Sequence, residues 1–223
     1  KFVSFNASNG SVTSINENRD LIQDMNFDPG MGFYGFADKL NFDADLKTVT
    51  YASNKYDQTN GSGLSLELLN LETGISKTLY ESNNTSFDNG IPILETYDLA
   101  NGQVAAVFKE YWTDDDWIAS SELKIFCYDK VTGDITQPVQ TIGSLFSGDN
   151  DEKDYFIEQT GDSNLYIGFV DSDTSYVEDN SFNLKFVSFN ASNGSVTSIN
   201  ENRDLIQDMN FDPGMGFYGF ADK

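Results

Sequence analysis

Residues 1–39 and residues 185–223 are the same sequence, letter for letter. Both read KFVSFNASNGSVTSINENRDLIQDMNFDPGMGFYGFADK. The chain therefore holds one full period, positions 1–184, and then the opening stretch of the next. Whatever the first copy builds, the second can also build, so the fold must be one that repeats. Identity at polar positions as well as apolar ones points to recent duplication, homogenisation of a long array, or engineering. It also gives the expectation that the chain ends are not domain ends.

A shorter repeat lies inside the long one. Lys1–Ile15, Ser65–Leu79, Lys124–Pro138 and Lys185–Ile199 align without gaps. Each has an apolar run, then Asn6, Asn70, Asp129 or Asn190, then Gly10, Gly74, Gly133 or Gly194, then a second run. The three intervals between these glycines are nearly equal, and together they span one period. Three units of near-equal length thus fill each period. The chemistry is that of a β-hairpin. An Asn or Asp side chain at a strand end bonds the turn backbone, and the following glycine supplies positive φ. Leu64, Leu66 and Leu68 alternate with Ser65 and Glu67, as a strand requires.

Upstream of each complete hairpin lies a strand apolar on both faces: Lys47–Ser53, Gln103–Tyr111 and Asn164–Val170. A polar turn precedes each, at Asp43–Asp45, Ala100–Gly102 and Gly161–Ser163. A further short strand is predicted before that turn, at Phe33–Asp38, Ile93–Asp98 and Asp154–Gln159. Each unit then reads as four strands, A to D, with long polar B–C connections at Lys55–Gly63, Thr113–Ser121 and Asp171–Asn183. The best helix candidate, Asn16–Met25, reads as a polar connection.

The predicted class is all-β. Four-stranded antiparallel units repeated at a third of the period match the blades of a β-propeller. An array of β-sandwiches would need about seven strands and about 100 residues per unit, more than each unit holds. Three blades are too few to close a ring. Six, from two periods or two chains, would close one.

The stretch Leu40-Asn-Phe-Asp-Ala-Asp-Leu-Lys-Thr-Val-Thr-Tyr-Ala-Ser-Asn54, followed by Leu64-Ser-Leu-Glu-Leu-Leu-Asn-Leu-Glu-Thr-Gly74, resembles the blade motif of TolB-like propellers, a WD40-like repeat architecture. Asp45 or Leu46 stands where that family usually has glycine. The resemblance implies a propeller, most often six-bladed. It implies no single function, since members bind proteins or glycans or accompany enzymes.

On this reading residues 1–39 form a part-blade, strands C and D plus the next A. Residues 40–95 hold the remainder of a blade, 92–150 and 151–200 hold two more, and 201–223 are a connection and first strand. Part-blades leave sheet edges open, so self-association is expected, as exchanged dimers or head-to-tail filaments.

The chain carries 36 acidic and 13 basic residues, a net charge of −23. That argues against nucleic acid, whose phosphates need a basic footprint, and against anionic lipid surfaces. No apolar run reaches membrane-spanning length, so no membrane insertion is expected. There is no histidine, which removes the commonest general base and most zinc chemistry. The one cysteine, Cys127, falls in the column of Leu68 and Ser188 and reads as a packing residue.

Two acidic clusters are candidate Ca²⁺ sites: Asp114, Asp115 and Asp116, and Asp149 and Asp151 with Glu152 and Asp154. Calcium takes about six to eight oxygens, which such clusters can supply. The plainer reading of both is a solvated acidic loop. Tyr111, Trp112 and Trp117 are candidate ligand-binding residues, because aromatic faces beside carboxylates suit a sugar ring. The plainer reading is packing between blades.

These features lead to the expectation of a non-catalytic structural or adhesive repeat in a large extracellular or cell-surface protein. The alternative is a lectin-like propeller that binds carbohydrate or peptide. An enzyme-associated propeller comes third.

Overall fold

The computed structural model describes residues 3–14, 40–43, 45, 47–57, 61–82, 93–113, 119–145, 155–161, 163–172 and 182–199. Among them the chain is all-β, with antiparallel pairing throughout. A first hairpin pairs β1 (Val3–Asn6) with β2 (Ser11–Ser14). The first four-stranded meander is β3 (Asn41–Phe42), β4 (Thr48–Asp57), β5 (Gly61–Asn70) and β6 (Ser76–Ser82). The second is β7 (Leu94–Asp98), β8 (Gln103–Thr113), β9 (Ala119–Asp129) and β10 (Ile135–Leu145). The third is β11 (Tyr155–Thr160), β12 (Asn164–Ser172), β13 (Phe182–Asn190) and β14 (Ser195–Ser198). One residue pair, Leu145 with Asp171, joins the second meander to the third.

The predicted turn chemistry is what closes the C–D hairpins. Asn70 Oδ1 accepts the N–H groups of Glu72 and Thr73 at 3.0 and 2.8 Å. Asp129 Oδ1 does the same for Val131 and Thr132 at 2.9 and 2.8 Å. The glycine N–H then bonds the carbonyl of the same Asn or Asp, at 2.8 Å in all four hairpins. Gly10, Gly74, Gly133 and Gly194 have φ of 70°, 69°, 66° and 70°, the left-handed region that a side chain resists.

One of the sequence expectations needs correction. The B and C strands run further than their apolar cores: β4 reaches Asp57 and pairs it with Gly61, and β8 reaches Thr113 and pairs it with Ala119. Six of the nine residues at 55–63 and four of the nine at 113–121 are therefore ladder. Polar side chains break the apolar alternation, but ladder bonds are made by the backbone. On the other edge of β4 the described strand is Asn41–Phe42. The predicted strand Phe33–Asp38 and the candidate Asn16–Met25 lie outside the described residues.

The three meanders stack face to face with a constant direction. Leu64, Leu66 and Leu68 of β5 pack with Val104, Ala106, Phe108, Phe126 and Tyr128 of the second meander. On its other side that meander packs Ala105, Val107, Leu123, Ile125 and Cys127 against Leu165, Ile167, Phe169, Val187 and Phe189 of the third. Counted back from the turn glycines, Leu64, Leu66 and Leu68 match Leu123, Ile125 and Cys127, and each set faces the following unit. The middle sheet is buried on both faces, which explains its two-sided apolar strands. The ladders are open paths, and none of the described sheets closes on itself.

Polar ties repeat along with the apolar ones. Strand D of one unit reaches the C–D turn of the next: Lys77 Nζ donates to the Thr132 carbonyl at 2.9 Å, and Gln140 Nε2 to the Gly194 carbonyl at 2.8 Å. Rings run through the first interface, with Tyr80–Phe108 centroids 5.0 Å apart, Phe108–Phe126 6.0 Å and Phe126–Tyr128 5.9 Å.

Candidate functional site

Where the first two meanders meet, their A–B ends leave a small polar cleft. It is lined by Asn41, Asp43, Thr50, Thr96, Asp98 and Tyr128, among others. Each arrives for a local reason. Asp43 closes the β3–β4 turn, its Oδ1 accepting the N–H groups of Lys47 and Thr48 at 2.6 and 3.0 Å. Asp98 ends β7, just before the 3-10 turn Ala100–Gly102. Tyr128 lies at the end of β9, and its hydroxyl shares a 2.6 Å hydrogen bond with Thr50 Oγ1 across the interface. Asn41 Nδ2 donates to the Leu94 carbonyl at 3.0 Å and fixes the cleft wall.

Burial pushes the Tyr128 phenol well above its ordinary value, with the Asp98 and Asp43 charges adding to that effect and the Thr50 bond opposing it. The phenol therefore stays protonated in ordinary buffers. The cleft offers hydroxyls, an amide and carboxylates: groups that hydrogen-bond a small polar molecule. No histidine in the chain can serve it as a base.

A second polar cluster lies between the same meanders. Glu110 is buried on β8, and its Oε2 accepts from Lys124 Nζ and, at 3.1 Å, from Tyr80 OH. Lys124 also reaches Glu122 at 3.2 Å, and its ammonium lies 5.9 Å from the Tyr80 ring centre. Burial pulls the Lys124 pKa down, but its bond and charge pairing with Glu110 outweigh that and raise it. The Glu110–Lys124 pair joins adjacent strands of the second meander, and the Tyr80 hydroxyl ties it to the first. Glu110 Oε1 is buried with no protein partner.

The residues singled out from sequence are placed unevenly. Tyr111 lies in β8 opposite Ser121 and is buried, 8 % exposed. Trp112 occupies the next position of β8, opposite Ser120, and its side chain lies outside the described part. Trp117, Asp114, Asp115, Asp116, Asp149, Asp151, Glu152 and Asp154 lie outside the described residues. Among the described residues, no three His, Cys, Asp or Glu side chains are grouped to hold a metal. Cys127 is fully buried in the core between the second and third meanders, where burial pushes its thiol up to about 12. It is a packing residue, as its column predicted.

The cleft was not anticipated. Asp43 reads in sequence as a turn residue, Asp98 and Thr50 as strand residues and Tyr128 as core. The one signal is positional: polar side chains recur at the A–B ends of successive units, which stacking brings together. No protein-family model and no curated protein matches this chain.

Proposed function

We propose that this chain is a structural, non-catalytic repeat of an extracellular or cell-surface protein, and that its meanders are blades of a β-propeller. One observation carries the reading. The same columns of each unit face the next unit at both interfaces, so the packing step is heterologous and repeats. A step that repeats with one hand either closes into a ring or continues as a stack. With three units per period, two periods supply the six blades of a closed ring. A net charge of −23 favours solubility in a salty medium. Letter-for-letter copying of a segment fits a role set by copy number and length.

Two measurements test the two halves of this proposal. A polypeptide of two tandem periods, imaged by electron microscopy, is expected to form a six-sectored ring with a central channel. An open stack overturns the propeller. Antibody raised against residues 1–39 is expected to label unpermeabilised cells of the source or its culture medium. Labelling only after permeabilisation overturns the location.

A further inference from the structure

One hairpin sequence occurs twice in the chain, in two different settings. β13 is paired on both edges: with β14 on one side, and on the other with β12 through nine residue pairs, from Asn164↔Asn190 to Ser172↔Phe182. β1 has the same sequence as the end of β13, and among the described residues it pairs with β2 only. Val187 and Phe189 enter the core at 6 % and 0 % exposure, while the identical Val3 and Phe5 stand 56 % and 66 % exposed.

We propose that β1–β2 is a docking element, and that its receptor is the β12 edge of a second copy of this chain. Identity dictates the register: Asn6 opposite Asn164, Phe5 opposite Leu165, Ser4 opposite Tyr166 and Val3 opposite Ile167. Ala7 N–H then meets the Ser163 carbonyl, as Ala191 does at 2.9 Å. The Gly10 carbonyl takes the Gln140 amide that Gly194 takes now. Val3 and Phe5 fill the core positions of Val187 and Phe189. Every contact is one already seen in this fold, so the fit needs no new complementarity.

In the receiving copy β13–β14 leaves as β1–β2 enters; of the nine pairs that β13 makes with β12, the register above remakes four, those of Val187–Asn190. This is strand exchange between identical elements. The resident hairpin has the advantage of its tether, which holds it at an effective concentration on the order of millimolar. Exchange therefore grows with protein concentration, and dominates when the resident hairpin is disabled. The two identical hairpins and the observed receptor edge are all it requires; ring closure is not.

The test uses the whole chain. Phe189→Asp disables the resident hairpin and Phe5→Asp the N-terminal one. In sedimentation, Phe189→Asp is expected to form dimers or longer chains that keep hydrogen-exchange protection in β12. The double variant is expected to be monomeric and to lose that protection. A monomeric Phe189→Asp that loses protection as the double variant does overturns the proposal. So does a monomer that keeps it, because the hairpin then docks within its own chain. A second measurement avoids core damage: a Ser4→Cys chain is refolded at high concentration with a differently tagged Tyr166→Cys chain. Opposed residues of an antiparallel ladder lie within disulfide reach. A mixed-chain disulfide is expected, abolished by adding Phe5→Asp to the Ser4→Cys chain; its absence overturns the proposal.

Discussion

Hairpins 3–14 and 187–198 have one sequence and the same local geometry, yet opposite surroundings. The glycine φ is 70° in both. Asn6 and Asn190 each accept a serine N–H, from Ser8 and Ser192, at 2.9 Å. Asn9 and Asn193 accept from Ser11 and Ser195 at 2.9 and 3.0 Å. The apolar residues differ: Phe5 is exposed where Phe189 has no contact with water. Turn and register are thus settled by bonds inside the hairpin itself. Burial is supplied by β12 and by the facing side of the second meander, which among the described residues only the later copy reaches.

The largest expected contrast lies in the aromatic residue. Phe189→Ala should cost about 3–5 kcal/mol, the usual loss on emptying a buried ring site. Phe5→Ala should stay within about 0.5 kcal/mol, as surface substitutions do. Urea denaturation of the two variants measures both, and a large loss from Phe5→Ala would break the comparison.

The turn glycines should separate the copies less. Alanine at either position costs about 1–2 kcal/mol for left-handed backbone. At Gly194 a Cβ would also meet Gln137 Oε1 at 2.5 Å, while at Gly10 nothing lies within 4 Å. That oxygen is the far end of a flexible side chain, so Gly194→Ala should be the more costly by only a small margin. Its loss should register in global unfolding and that of Gly10→Ala in local hairpin opening, which amide exchange distinguishes.

The asparagines should not separate them. Asn6→Ala and Asn190→Ala each remove turn-closing hydrogen bonds, worth about 1 kcal/mol. Equal increases in local amide exchange at Ser8 and Ser192 would confirm that the turn is self-contained.

The smallest effect concerns the same turn in the second meander, where Asp129 replaces asparagine. Backbone N–H groups of Thr132 and Val131 hold its carboxyl below the usual value. The turn's stabilisation is then complete above the ordinary carboxylate pKa of about 3.9 and is lost as pH falls through the lower folded value. Asp129→Asn should flatten stability in that acid range and leave it unchanged near neutrality, as denaturation at several pH values would show.

Much of the fold could be read in the sequence because its signals are local. Gln103–Tyr111 and Asn164–Val170 announce buried strands by composition, and β8 and β12 begin where predicted. The extension of β4 from Ser53 to Asp57 was invisible, because polar residues such as Asn54, Lys55 and Asp57 can join a ladder without changing the apolar pattern. The cleft was invisible for another reason. Asp43, Thr50, Asp98 and Tyr128 come from two units and meet only when the sheets stack. Glu110 and Lys124 likewise look like exposed strand charges until Tyr80 closes over them.

The sequence by itself determined the period, the strand order and the glycine turns, because each depends on bonds between near neighbours. Tertiary structure alone decided what each column of side chains is for. Leu68, Cys127 and Ser188 occupy one position in the repeat. Leu68 and Cys127 face a following sheet and are buried, while Ser188 lies on the third meander and is only partly covered. Burial is a property of the neighbour as much as of the residue, and for the same reason Phe5 and Phe189 differ.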